Sequence, residues 1–128
     1  MRINFPSYIQ HDQMDCGPAC LKIIAQNYGK RFSLKYLRDR CYATREGVSL
    51  LEIGFRTLAI KVTFEDLIEK MPLPLIVHWK QSHFVVVHKI TNRKVYISDP
   101  AQGLTHYNHK EFREAWEMCN GLGTIMIL

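Results

Sequence analysis

Three short apolar segments in the second half of the chain constrain the fold more than any other feature. They cover residues 75–79, 83–90 and 94–98, and three polar residues separate each segment from the next. Connections this short join antiparallel strands, because a crossover between parallel strands needs about a dozen residues or more. The sequence therefore predicts an antiparallel β-meander over residues 75–98.

Helical patterns dominate the part of the chain before this meander. Apolar residues recur at helical spacing over residues 17–28, Pro18 fits the first turn of that helix, and Gly29 supplies a stop signal. Ser33 is expected to cap a second, short helix over the residues that follow. The first half of the chain is therefore predicted to begin with two helices.

Capping signals and apolar alternation predict the remaining elements. Ser49 and Glu52 have the spacing of a capping box, yet Gly54 interrupts the helix almost at once. The other predicted elements are a strand over 55–62, a helix over 63–70, a helix capped by Asn108 and Glu111, and a strand over 124–128. Because helices come first and the sheet second, the chain is predicted to be an α+β protein.

Length and composition exclude several classes of protein. With 128 residues, of which 47% are hydrophobic, the chain can form one domain with a core but not two. The net charge of +5 is spread along the chain, without the interleaved aromatic residues of a single-strand binder. We therefore expect no nucleic-acid partner. No apolar run suits a signal peptide or a transmembrane helix.

The four cysteines are Cys16, Cys20, Cys41 and Cys119. Their spacing fits neither paired zinc knuckles nor a small disulfide-stapled scaffold. Histidine and cysteine together also lack a recurrent zinc-ligand spacing, so a metal site is poorly supported. We expect reduced thiols in a cytosolic setting and no metal.

Cys16 is the candidate nucleophile because it stands where the first predicted helix begins. The helix dipole and the free backbone N–H groups at such a position stabilise a thiolate. Gly17 beside it removes a side chain where a substrate backbone would approach. The alternative is that Cys16 is a small buried hydrophobic residue, which is a common role of cysteine.

His83 is the best placed of the six histidines to act as a base. It opens a predicted strand whose hairpin partner ends near Asp99, and counting back through a turn near Asn92 sets the two residues roughly opposite each other. Cross-strand neighbours lie about 5 Å apart at Cβ, close enough for a carboxylate to orient an imidazole. The alternative is that Asp99 and Pro100 simply end a strand, since both are favoured turn residues.

Four other histidines and Cys20 are interpreted as structural or solvent-facing. His88 lies on the strand face opposite that of His83, and His78 sits inside an apolar strand. His106 and His109 lie near a predicted helix start and are expected to face solvent. Cys20 follows Cys16 by one helical turn and is expected in the core, with a local disulfide under oxidation as the alternative.

Two longer motifs connect these candidates. The first is QHDQMDCGPACL at residues 10–21, and the second is HFVVV at residues 83–87, followed later by Asp99 and Pro100. Both closely resemble signatures of the bacteriocin-processing, double-glycine-leader peptidases, a papain-like family of cysteine peptidases. The segments at 36–38 and 47–49 are similar to family features too, so the resemblance spans nearly the whole chain.

The resemblance implies a role for each candidate residue. Cys16 would be the nucleophile, His83 the general base and acid, and Asp99 the group that orients His83. Gln10 would donate its side-chain amide to the oxyanion. The implied fold is papain-like α+β, with an N-terminal helical part that carries the nucleophile and an antiparallel sheet after it.

The resemblance also implies a setting for the domain. Residues 1–128 would form a single peptidase domain, the N-terminal domain of a longer ABC exporter on the cytoplasmic side of the bacterial inner membrane. It would cut a precursor peptide after a Gly-Gly leader, next to the transmembrane and nucleotide-binding domains of the exporter. The peptidase would need no cofactor, since ATP is used only in the transporter part. The apolar strand at 124–128 likewise suggests a domain cut from a longer chain.

One departure from the family pattern concerns substrate docking. Relatives carry a fuller helix where this chain passes from Leu51 to Gly54 within a few residues, a shortening that is expected to alter leader docking or stability. Two other functions stay open: a docking module that binds the leader without cutting it, and an acyl or amide transferase, because the same three side chains serve several reactions.

Overall fold

The α+β class is confirmed by the computed structural model, which describes residues 5–9, 16–30, 33, 35, 37, 58–80, 83–118 and 121–127. Three helices and six strands lie in these ranges. They are helix α1 (Cys16–Asn27), strand β1 (Leu58–Thr63), helix α2 (Phe64–Lys70), strands β2 (Leu75–Trp79), β3 (His83–Ile90), β4 (Lys94–Asp99) and β5 (Gly103–Asn108), helix α3 (His109–Trp116) and strand β6 (Leu122–Ile127). No helix in these ranges has the length and apolar character needed to cross a bilayer.

The six strands form one sheet in the order β1-β6-β2-β3-β4-β5. Every pairing is antiparallel, and β2 to β5 are connected as a meander. The predicted meander is therefore confirmed, and it is one strand longer than the sequence indicates because β5 was not predicted. Strand β6, the last in the chain, lies between β1 and β2.

Side chains cap the first turns of α2 and α3, and the cap predicted at Asn108 and Glu111 is confirmed. The Thr63 hydroxyl accepts a hydrogen bond from the backbone N–H of Asp66 at 3.1 Å, which satisfies a donor that the first turn leaves unpaired. At α3, Asn108 and Glu111 form a reciprocal capping box, with bonds of 2.8 and 2.9 Å. Local sequence thus sets where both helices begin.

Two apolar cores lie on opposite faces of the sheet. The first packs α2 and α3 against alternate residues of the central strands, and the second packs α1 against the other face. In the second core, the residues from α1 are Cys20, Leu21, Ile23 and Ile24, all of them buried. The expectation that Cys20 belongs to the core is confirmed.

Strand β6 and helix α3 pack closely against each other at Gly123. A Cβ atom at this position would overlap the indole of Trp116, which is fully buried. The indole Nε1–H of Trp116 donates to the backbone carbonyl of Thr124 at 3.1 Å, so its one polar atom is satisfied. The glycine is therefore required by close packing.

Several predicted features lie wholly or partly outside the described residues. They are the capping box at Ser49 and Glu52, the junction between Leu51 and Gly54, and residues 55–57 of the predicted strand. Of the second short helix, Lys35 and Leu37 are helical, and Leu37 is buried against α1.

Candidate active site

His83 and Asp99 contact each other where β3 begins and β4 ends. The Nε2 atom of His83 lies 2.7 Å from Oδ1 of Asp99. The side chain of Asp99 is 2% exposed and that of His83 is 23% exposed. A carboxylate only accepts hydrogen bonds, so Nε2 is the donor and the imidazole presents its Nδ1 on the other side.

The register of the β3–β4 hairpin differs from the predicted one, yet it preserves this contact. Val86 pairs with Ser98, which sets Asp99 opposite Val85 and two residues away from His83. An irregularity between Val87 and Lys89 shifts the register by one residue toward the predicted pairing, which leaves the offset of two residues. Because side chains alternate with a period of two, an offset of two residues leaves both groups on the same face, as diagonal neighbours.

A second hydrogen bond holds the carboxylate of Asp99 in place. Its Oδ1 also accepts the backbone N–H of Ala101 at 2.8 Å. The backbone carbonyl of Asp99 accepts the N–H of Gln102 at 3.1 Å, which closes a turn that leads into Gly103 at a φ of 93°. A side chain at that φ would be strained, so glycine suits the turn. The turn thus fixes the direction in which Asp99 faces His83.

Helix α1 is anchored beside the start of β3. The thiol of Cys20 donates to the backbone carbonyl of Phe84 at 3.2 Å, and Phe84 directly follows His83. Cys16 is the first residue of α1, one turn before Cys20. Its backbone therefore lies at the positive end of the helix dipole, at the end of the sheet where His83 stands.

The segment of residues 5–9 runs beside the same end of β4. Ser98 donates its hydroxyl to the carbonyl of Pro6 at 2.8 Å, and the side chain of Ile9 lies beside Gly103, which pairs with Asp99. Sequence reasoning did not find this contact, because a short irregular segment carries no periodic signal. Gln10 follows Ile9 directly in the chain.

Of the four predicted site residues, the structure brings two into contact. These are His83 and Asp99. The side chain of Cys16 and all of Gln10 lie outside the described part of the chain. The structure therefore gives the geometry of the His83–Asp99 pair and the position of α1. Within the described ranges, no group of three histidine, cysteine or acidic side chains is arranged to hold a metal ion.

The four other histidines within the described ranges have separate surroundings. His88 stacks on Phe5 with ring centroids 4.2 Å apart, and His78 packs 5.3 Å from the ring of Phe84. His106 is exposed, as expected, although it lies in β5. The expectation for His109 is wrong, because its ring is half-buried and its Nε2 lies 2.8 Å from the Thr91 carbonyl oxygen.

Tyr107 is a neighbour of this site that sequence reasoning missed. Burial raises the pKa of its phenol above the ordinary value of 10.0, and the negative charges of Asp99 and Glu111 raise it further. A hydrogen bond with the Thr105 side chain acts in the opposite direction. Tyr107 therefore stays protonated at neutral pH and feels the charge of Asp99.

Comparison with known sequences identifies the family. The sequence model of the peptidase C39 family matches residues 4–120. The chain belongs to the peptidase C39 family. The resemblance drawn from the motifs at residues 10–21 and 83–87 is thereby confirmed.

A curated relative shows how this chain compares with a much longer protein. The lactococcin-G-processing and transport ATP-binding protein LagD of Lactococcus lactis subsp. lactis is 34% identical over 119 residues. The match covers 84% of this chain and 17% of LagD. The chain thus spans about a sixth of the length of that relative.

Two solved structures share the fold of this peptidase C39 chain. One is a double glycine motif protease from an AMS/PCAT transporter in complex with the leader peptide, at a TM-score of 0.83 and 26% identity, covering 95% of this chain and 89% of that one. The other is the peptidase domain of Streptococcus ComA, a bi-functional ABC transporter involved in a quorum sensing pathway. It has a TM-score of 0.78 and 27% identity, and the match covers 97% of this chain and 98% of that one. The predicted papain-like arrangement of helix and antiparallel sheet is confirmed.

Proposed function

We propose that the chain is a cysteine endopeptidase that removes the leader of a bacteriocin-like precursor peptide after a Gly-Gly pair. The observation that carries the proposal is the 2.7 Å bond between Nε2 of His83 and Oδ1 of Asp99, at the end of the sheet where α1 begins. Membership of the peptidase C39 family and the likeness to a double glycine motif protease support the same activity.

The first step is activation of the thiol. Because Asp99 accepts the Nε2 proton, the neutral imidazole of His83 carries its basic lone pair on Nδ1. Nδ1 takes the proton of the Cys16 thiol and forms an imidazolium beside a thiolate. The charge of Asp99 stabilises the imidazolium, and the start of α1 stabilises the thiolate.

The second step is cleavage of the peptide bond. The thiolate of Cys16 attacks the carbonyl carbon of the second glycine, and the side-chain amide of Gln10 donates to the oxygen as negative charge develops there. The imidazolium of His83 then gives its proton to the departing amine, which leaves a thioester. Water, deprotonated by His83, attacks the thioester, releases the leader as a carboxylate and restores the thiol.

The substrate and the setting follow from the same resemblance. The substrate would be a precursor peptide whose two glycines fit a narrow groove and whose leader helix lies on an apolar surface. The chain would act beside the transmembrane and nucleotide-binding domains of an ABC exporter, at the cytoplasmic side of the bacterial inner membrane. The peptidase reaction uses only side chains and water and takes no cofactor.

Mass spectrometry of a precursor peptide after incubation with the protein tests the proposal. We expect wild type to cut directly after Gly-Gly and Cys16→Ala to leave the peptide intact. Cys20→Ser is a matched control, because it removes a thiol one turn further along α1 but keeps a donor for the Phe84 carbonyl, and it should retain cleavage. A peptide with Ala-Ala in place of Gly-Gly should not be cut.

Two results would contradict the proposal. Cleavage by Cys16→Ala at the wild-type rate would exclude this thiol as the nucleophile. Binding of the Gly-Gly peptide by intact wild type without any turnover would favour a docking module instead. Addition of amines to the wild-type reaction would reveal acyl transfer, because an amide product would then replace the free carboxylate.

A further inference from the structure

Trp79 lies opposite His83 in the sheet, on the neighbouring strand away from Asp99. It is the last residue of β2 and pairs directly with His83, the first residue of β3. Side chains of such a pair lie on the same face of the sheet, with Cβ atoms about 5 Å apart. Trp79 is only 3% exposed, so the residue opposite His83 on β2 is a buried tryptophan, while Asp99 contacts the imidazole from β4.

Tyr107 contacts Trp79 from the opposite side of the His83–Asp99 pair. The ring centroids of these two residues are 5.4 Å apart. Trp79 belongs to β2 and Tyr107 to β5, and β3 and β4 lie between them in the sheet. The two rings therefore meet over β3 and β4, on the face that α3 covers with Phe112, whose ring lies 5.3 Å from that of Trp79.

The electrostatic surroundings of Tyr107 agree with this position. Its pKa is raised first by burial and then by the charge of Asp99, so the phenol is partly desolvated and lies within the electrostatic range of that carboxylate. Tyr107 is also half-buried in the core that contains Trp79. A buried indole on β2 thus lies opposite His83 in the sheet, and the ring of Tyr107 on β5 packs against that indole.

We propose that Trp79 and Tyr107 are positioning residues for His83 and Asp99, whose hydrogen bond they close to water on the α3 side. The exclusion of water strengthens a charge-assisted hydrogen bond, because the local dielectric is lower. The exclusion of water also restricts the imidazole to one orientation, in which Nε2 points toward Asp99. This inference rests on the peptidase function proposed above and deepens it by naming what holds the base.

Among the described residues, other titratable groups near the His83–Asp99 pair come from three elements. On β5 the group is Tyr107, and on α3 Glu111 acts through Tyr107. Helix α1 brings the Cys20 thiol, which is hydrogen-bonded to the Phe84 carbonyl. On β2, His78 lies on the other face of the sheet.

Trp79→Leu and Tyr107→Leu test the proposal, with Phe112→Leu as the matched control. Phe112 belongs to the same aromatic cluster but is carried by α3, so its loss should destabilise the fold without opening the His83–Asp99 bond. If Trp79→Leu does not fold, Tyr107→Leu tests the same proposal at a half-buried position. Tyr107→Phe keeps the ring and should behave as wild type.

Histidine ¹⁵N NMR of the whole chain gives a readout that needs no substrate. In wild type and in Phe112→Leu, neutral His83 should carry its proton on Nε2. In Trp79→Leu and Tyr107→Leu, a mixture of both tautomers and a lower titration midpoint are expected, because water then competes for Asp99. Retention of the single tautomer and of the midpoint in both variants would overturn the proposal.

Kinetics on a Gly-Gly peptide gives the second readout. A misplaced base should lower kcat about 10- to 100-fold in Trp79→Leu, with KM nearly unchanged. A fall no larger than that of Phe112→Leu would contradict the positioning role. If wild type cuts no Gly-Gly peptide while the NMR difference is present, the proposed function fails and the positioning of His83 stands.

Discussion

Replacing Asp99 by asparagine removes the negative charge beside His83 and keeps a side chain of the same shape. Oδ1 of an asparagine can still accept the Nε2 proton of His83 and the N–H of Ala101, bonds that measure 2.7 and 2.8 Å in the native protein. Asp99→Ala removes the acceptor altogether. The two variants therefore separate the charge of this group from its hydrogen bond.

The expected losses follow from the two kinds of hydrogen bond. A bond to a charged group contributes about 1.5–3 kcal/mol and a neutral one about 0.5–1.5 kcal/mol, so the charge accounts for about 1–1.5 kcal/mol. Asp99→Asn should thus lower kcat/KM roughly 5- to 15-fold, and Asp99→Ala roughly 10- to 150-fold. Because Asp99 is 2% exposed, water cannot easily replace the acceptor, and the upper part of each range is expected.

Cleavage of a Gly-Gly peptide, followed by chromatography across a range of pH, measures both losses. In Asp99→Asn the imidazolium of His83 is less stabilised, so the alkaline limb of the kcat/KM profile should move to lower pH. Asp66→Asn is the matched control, since this exposed carboxylate pairs with Lys70 on α2. Wild-type rates and an unshifted profile in both Asp99 variants would refute the orienting role.

Three further predictions concern stability. Gly123→Ala should lower the free energy of unfolding by about 1–3 kcal/mol, because its methyl group would overlap Trp116. An unchanged Tm in a thermal melt would contradict this packing. Asn108→Ala should cost about 1 kcal/mol in urea unfolding by removing the α3 cap, whereas Asn92→Ala in the exposed hairpin should cost little. Tyr107 favours its neutral form on folding, so the stability it contributes is present below pH 10.0 and is lost as pH rises through its raised pKa. Tyr107→Phe should abolish this loss in unfolding experiments between about pH 9 and 11.

Much of the fold could be predicted because local patterns determine it. Strands β2 and β3 were predicted with their observed bounds, since each is an apolar run between polar connections. Strand β5 was missed, because an edge strand buries little and its Leu104 and His106 point to solvent. Nothing in the residues of Gly103–Asn108 alternates clearly between apolar and polar.

The site was predictable to the extent that it depends on chain order and chemistry. The proximity of His83 and Asp99 follows from a hairpin, and their shared face survives the two-residue error in register because the strand period is two. Trp79 and Tyr107 could not be found in this way. Their contact joins strands separated by two others, and it depends on the size and direction of two buried rings.

The position of β6 has a consequence for the timing of folding during synthesis. β6 is made after the other five described strands, yet it is the strand that joins β1 to β2, and β1 pairs with no other strand in the described part of the chain. A nascent chain that stops before residue 122 therefore presents two unpaired strand edges, which are prone to association with other chains. The domain can complete its sheet only after residue 127 has left the ribosome.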